Sequence, residues 1–190
     1  MKSTRRELIC AVVAGCLALT APASAASTAA PAAAPAAAGA PAAGAAPANI
    51  GTFKSWTAWK GTDANGLICY ISAAPTSSKP DAAKRDPVHF LVINRKGGGT
   101  KDEVQTLIGY PFKKDGKPTA MIDAKSYNMV VDGSAAWLAA VGDEPGFVAA
   151  LKSGTNLVVK GTSTRGTDTT DTYTLSGVKA AMSAIDKACS

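Results

Sequence analysis

Arg165, Asp168 and Asp171 stand close together among Thr164, Thr167, Thr169 and Thr170. An arginine offers a planar fork for carboxylates or phosphates, and threonines offer hydroxyls. The stretch is therefore a candidate ligand- or partner-binding loop. Its other reading is a hairpin in which Arg165 pairs with Asp168 or Asp171. Neither these two aspartates nor Asp143 and Glu144 make a recognisable glycosidase pair from sequence alone. The one histidine is His89. A nucleophilic centre needs a base oriented by a third group, and no such set surrounds it in the sequence. Gly97-Gly98-Gly99 lacks the following helix and Lys-Ser/Thr of a phosphate loop. No catalytic residue, metal ligand or cofactor is assigned, and an enzyme is not expected. Trp56 and Trp59 have two readings, core filling and a sugar platform.

The remaining chemistry is that of sulfur. Of the four cysteines, Cys10 and Cys16 fall in the first 25 residues, which read as a secretory signal peptide. Lys2, Arg5 and Arg6 form its basic start, Leu8 to Leu19 its apolar stretch, and Ala23-Ser24-Ala25 its small-residue cleavage site, with cleavage after Ala25. The apolar stretch is shorter than the roughly 20 residues a spanning helix needs. A second processing route treats Val13-Ala14-Gly15-Cys16 as a lipobox and lipidates Cys16. Both routes place the protein outside the cytoplasm, in the periplasm, attached to the envelope or secreted. There Cys69 and Cys189 are expected to form a disulfide, the other reading being two buried free thiols.

Residues 26–48 are almost wholly Ala, Pro and Gly, with Pro31, Pro35, Pro41 and Pro47 interrupting any helix. They read as a low-complexity spacer with no bulky side chain to bury. The composition changes at residue 49, and residues 49–190 are of single-domain size. Removing residues 1–25 takes away Lys2, Arg5, Arg6 and Glu7, leaving 17 basic and 13 acidic residues, a net charge of about +4. The positive residues are scattered, without a basic helix or aromatic-basic platform, which argues against nucleic acid. The charge allows weak association with anionic membrane surfaces.

The domain reads mostly as strands. Phe53 to Lys60 opens it. Leu67 to Ala73 follows an Asn65-Gly66 turn, a strong hairpin signal. Phe90-Leu91-Val92-Ile93 forms an apolar run of the kind buried on both sides. Glu103 to Tyr110 alternates, with Val104, Thr106, Ile108 and Tyr110 on one face. Thr119 to Ile122 and Ser126 to Val131 read as a hairpin. Two short helices are expected next, Ala135 to Val141 and a second capped by Asp143 and ended by Gly154. Strands follow at Asn156 to Thr162 and Thr169 to Leu175. A last helix, capped by Ser176, runs from Gly177 to Ala188. Its Val178, Met182 and Ile185 share a stripe with Cys189, which aims that sulfur at the sheet. The whole reads as a mainly β, antiparallel β-sandwich with short helices, one of them C-terminal.

Several runs occur in a distinctive order. They are Leu67-Ile68-Cys69-Tyr70, Asp86-Pro87, Phe90-Leu91-Val92, Asn94-Arg95, Ile108-Gly109-Tyr110-Pro111-Phe112-Lys113, Ile122-Asp123 and Ala136-Trp137. After them come Val159 to Thr167, Asp171 to Gly177 and Ala184 to Cys189. In these runs residues 53–189 closely resemble the invasion associated locus B family of alphaproteobacterial exported proteins. The resemblance implies an immunoglobulin-like β-sandwich, in agreement with the strand pattern. It implies no biochemical activity, only a link to host-cell invasion. The resulting expectation is an exported, non-enzymatic envelope protein that meets an envelope or host protein. The alternative is a periplasmic binder of small ligands or glycans that uses Arg165 and exposed aromatic residues.

Overall fold

The computed structural model describes residues 46–81 and 84–190. The signal peptide, its cleavage site at Ala25, the alternative lipidation site Cys16 and most of the spacer lie outside the described residues. Within them the chain forms β1 (Ala48–Phe53), β2 (Trp56–Asp63), β3 (Gly66–Ala73), β4 (Ser77–Lys79), β5 (His89–Arg95) and β6 (Thr100–Leu107). It continues with β7 (Thr119–Ile122), β8 (Lys125–Asp132), β9 (Ala135–Leu138), α1 (Glu144–Ser153), β10 (Asn156–Thr162), β11 (Asp168–Thr174) and α2 (Val178–Ala188).

All pairings are antiparallel, in the order β1-β2-β3-β5-β6-β9-β8-β7-β10-β11-β4. One strand turns this ribbon into two layers. Lys125 to Asn128 of β8 pair with β7, whereas Met129 to Asp132 pair with β9. A strand that changes partners along its length is how a sheet makes a corner. The two layers then face each other: Phe90 of β5 packs against Tyr173 of β11 with ring centroids 5.8 Å apart, and the Trp56 indole N–H donates to the Thr174 carbonyl at 2.9 Å. This is the expected mainly β sandwich with a C-terminal helix. The outermost strands of the ribbon are β1, which shifts register between Asn49 and Gly51, and the three-residue β4.

Period-two alternation fills the core. Cys69 and Ile71 of β3, Phe90 and Val92 of β5, Leu157 and Val159 of β10, and Tyr173 of β11 are fully buried. The expected stripe of α2 is also in place: Val178, Met182 and Ile185 are buried, together with Ala181. This face packs on β1, β2 and β3. Cys69 and Cys189 form a disulfide with Cα atoms 6.0 Å apart.

Three local expectations are corrected. Residues 135–138 are strand β9, not helix. Asp132 pairs with Ala135 across the Gly133-Ser134 turn, and Ala136 and Leu138 point inward while Trp137 points outward. Pairing on both sides outweighs the helix preference of two alanines. Ser176 makes no side-chain cap on α2; Gly177 holds the cap position at φ 98°. A Cβ on Gly177 would lie 1.9 Å from the Phe53 carbonyl oxygen, so a close approach between chain segments selects glycine there. Asp143 likewise gives α1 no side-chain cap, although Pro145 stands in its first turn as expected.

Candidate functional site

On β11 the alternation sends Thr169, Asp171 and Tyr173 inward and Asp168, Thr170 and Thr172 outward. Asp168 and Asp171, three residues apart on one strand, therefore lie on opposite faces. The Asp171 side chain is fully buried. A carboxylate in that position is costly unless it is paired and hydrogen-bonded. It is met by Arg85, whose two terminal nitrogens donate to its two oxygens, and by the Ser78 hydroxyl at 2.6 Å. Arg85 also donates to the Ile108 carbonyl and lies 6.0 Å from the centre of the Tyr110 ring. The Asp171 hydrogen bond holds the guanidinium above its ordinary pKa. Tyr110 in turn shares a 2.6 Å hydrogen bond with Thr169, and burial pushes its phenol up.

The hairpin reading of Arg165 is thereby corrected. Asp171 is taken by Arg85, and Asp168 accepts from Thr162 at 2.6 Å. Among the described residues Arg165 makes no ion pair. It sits exposed at the β10–β11 turn, at one wall of a cavity of about 460 Å3. Lys84, Arg85 and Asp86 form another wall, Tyr110 and Pro111 a third, and Ser134 of the β8–β9 turn a fourth. The four loops are tied to one another. Asp86 N–H donates to the Gly109 carbonyl, Thr164 N–H to Pro111, Ile108 N–H to Ser134 and Phe112 N–H to Gly133, all at 2.9–3.0 Å. Loops clustered at one end of a rigid sandwich are a common place for binding.

The aromatic residues separate. Trp56 is core. Trp59 is on the outer face of the first layer, directly opposite Tyr70 and stacked on it at 6.3 Å and 20°. Its indole N–H donates to Ser72 at 2.9 Å. With His89, Leu91 and Leu107 these residues line a shallow depression. The face continues through Gln105 to Trp137 and on to Val130, which is 51% exposed. His89 pairs across the sheet with Leu107 and is part of this face, not of the cavity beside Arg165. Among the described residues no group of three or more His, Cys, Asp or Glu side chains is placed to hold a metal ion.

A third feature is absent from the sequence reading. Opposite Asn94 the register of β5 and β6 slips, and Asp102 adopts φ 60°. Asn94 accepts from the Asp102 N–H and donates to Asp186 of α2. One Asp102 carboxylate oxygen is buried without a partner, and burial raises its pKa. No hydrophobic period marks such a bulge; Gly97-Gly98-Gly99 marks only the turn before it.

The family model described as Invasion associated locus B (IalB) protein matches residues 57–186. Among solved structures, the crystal structure of invasion associated protein B from Bartonella henselae is similar. It is 12% identical, covers 73% of this chain and 96% of its own, and superposes with a TM-score of 0.50, a likeness of fold. No curated protein sequence matches.

Proposed function

The chain belongs to the invasion associated locus B family, and on that footing we propose that it is an exported, non-enzymatic envelope protein that binds a protein partner in the envelope or on a host cell. The observation carrying this reading is the outer face of the first layer. In β5 the inward residues Phe90 and Val92 are covered by the core, yet the outward Leu91 is apolar too and half-buried, while Ile93 beside it is itself buried. Antiparallel sheets with one wet face ordinarily turn polar residues outward. Here Trp59, Tyr70, Leu91, Leu107 and Trp137 are half-buried neighbours on this outer face. Contiguous apolar surface of this kind marks an interaction site. Export is supported by the signal-like first 25 residues and by the disulfide, which belongs to oxidising compartments. A scaffold role for the buried charges supports the absence of catalysis, since Asp171 is fully engaged by Arg85 and Ser78.

The test replaces Trp59→Thr and Leu91→Thr together, keeping strand preference. Retention in the envelope fraction and adhesion to host cells should both fall, while the variant still unfolds cooperatively, less stable than the parent by about 2–3 kcal/mol for the lost stacking and half-buried apolar area. Unchanged association in both assays overturns the reading, as does turnover of a defined substrate lost on a point mutation that leaves the fold intact. A second reading, a binder of small ligands or glycans, is favoured by the four-loop cavity beside Arg165.

A further inference from the structure

The geometry points to the four-loop cavity as a site for an anionic sugar, a hexose phosphate or a hexuronate, clamped between Lys84 and Arg165; this rests on the second reading above. Lys84 and Arg165 come from different loops, are exposed, and line the same hollow. Among the described residues neither makes an ion pair. Arg85 is a third cation in the wall, but its terminal nitrogens serve Asp171 and the Ile108 carbonyl. It braces the floor and leaves the two outer cations to meet a ligand. An arginine fork suits the paired oxygens of a carboxylate or phosphate, and a lysine adds a mobile point charge.

Size and lining define the rest of the ligand. A cavity of about 460 Å3 lies within the range of small-molecule clefts and far exceeds the volume of a bare oxyanion. Ser134 and Thr164 present exposed hydroxyls, and Pro111 presents an exposed ring. Hydroxyl donors and acceptors beside a small apolar surface match the body of a monosaccharide. The backbone hydrogen bonds between the loops hold this arrangement before any ligand arrives, which lowers the entropy cost of binding. Asp86, the one carboxylate among the lining residues, opposes the anion and sets a limit on affinity.

Isothermal titration calorimetry of the purified protein tests this with glucose 6-phosphate, glucuronate, glucose, inorganic phosphate and phosphatidylglycerol vesicles. Glucose 6-phosphate or glucuronate should bind, more weakly as salt rises. Glucose and inorganic phosphate should each bind at least about tenfold more weakly, the scale of one charge-assisted hydrogen bond. Lys84→Gln and Arg165→Gln should each weaken the anionic sugar by about tenfold, and Asp86→Asn should strengthen it. The variants alter exposed side chains, so melting temperatures should stay at the parent value. Glucose binding as well as its phosphate overturns the inference and leaves the binder reading standing. Inorganic phosphate binding as well as the sugar phosphate, or vesicle binding without sugar binding, overturns it in favour of a bare anion patch. No heat from any probe overturns both.

Discussion

Arg85 and Asp171 are 86 residues apart in the chain and share a two-pronged ion pair inside the sandwich, with Asp171 fully buried and Arg85 nearly so. The pair ties the loop after β4 to the inner face of β11. Removing one partner leaves the other charge buried and alone. Arg85→Ala is therefore expected to cost about 3–5 kcal/mol in urea unfolding. Replacing both, Arg85→Met with Asp171→Leu, should recover much of that loss, because an apolar pair carries no desolvation penalty. A double variant as unstable as the single one would show that the pair supplies more than neutralisation.

The Cys69–Cys189 bond spans a sequence separation of 120 residues and ties the end of α2 to β3. Constraining so long a loop in the unfolded chain is worth on the order of 4–5 kcal/mol. Cys189→Ser should lower the melting temperature and speed proteolysis under oxidising conditions, and reductant should bring the wild type to the same behaviour. Equal melting points with and without reductant would contradict a structural role.

Gly177 and Gly133 both have positive φ, 98° and 58°, but only Gly177 is crowded. Gly133→Ala meets nothing within 4 Å and should cost only the left-handed penalty, about 1–2 kcal/mol. Gly177→Ala must also push apart the Phe53 carbonyl and the start of α2. Thermal unfolding should rank Gly177→Ala well below Gly133→Ala; the reverse order would mean that α2 does not depend on this approach.

Burial raises the folded-state pKa of Asp102, Lys152 and Lys101 lowering it and Asp186 raising it to lesser degrees. A carboxyl whose pKa is higher in the folded than in the unfolded protein favours folding when protonated. Its contribution is complete below the unfolded value and disappears as pH rises through the folded one. Asp102→Asn keeps a residue that tolerates φ 60° and removes the charge. The variant should be more stable than wild type at neutral pH by a few tenths of a kcal/mol, the group being only partly shielded from solvent. The difference should vanish in acid. A variant less stable at neutral pH would assign the ionised carboxylate a stabilising partner.

Alternation made most strands legible. Val104 and Thr106 share the buried side of β6 as expected; Ile108 and Tyr110 are buried too, but lie beyond its end at Leu107, and the helical stripe ending in Cys189 aims that sulfur at the sheet, where it meets Cys69. The exceptions have physical causes. Ala135 to Leu138 has too few residues for its period to separate strand from helix, and pairing on two sides decides it. The short β4 carries no hydrophobic pattern at all; its three residues are held by β11. In the loop of interest the parity of positions 168 and 171 is legible once β11 is placed. The partner of Asp171 is not, because Arg85 is brought to it by the path of the whole chain. Arg165 could be marked as a binding group from its type, but its companion Lys84 belongs to a loop that only the folded sandwich brings near.

The two outermost strands of the ribbon have one more consequence. An unpaired strand edge is a template on which a second chain can add and grow into a fibre. Along β1 the amide row is put out of step between Asn49 and Gly51, and β4 ends after three residues against Pro80, which has no N–H to offer. The two outer margins of the ribbon are therefore kinked or short, and each offers a second copy little regular amide row on which to add.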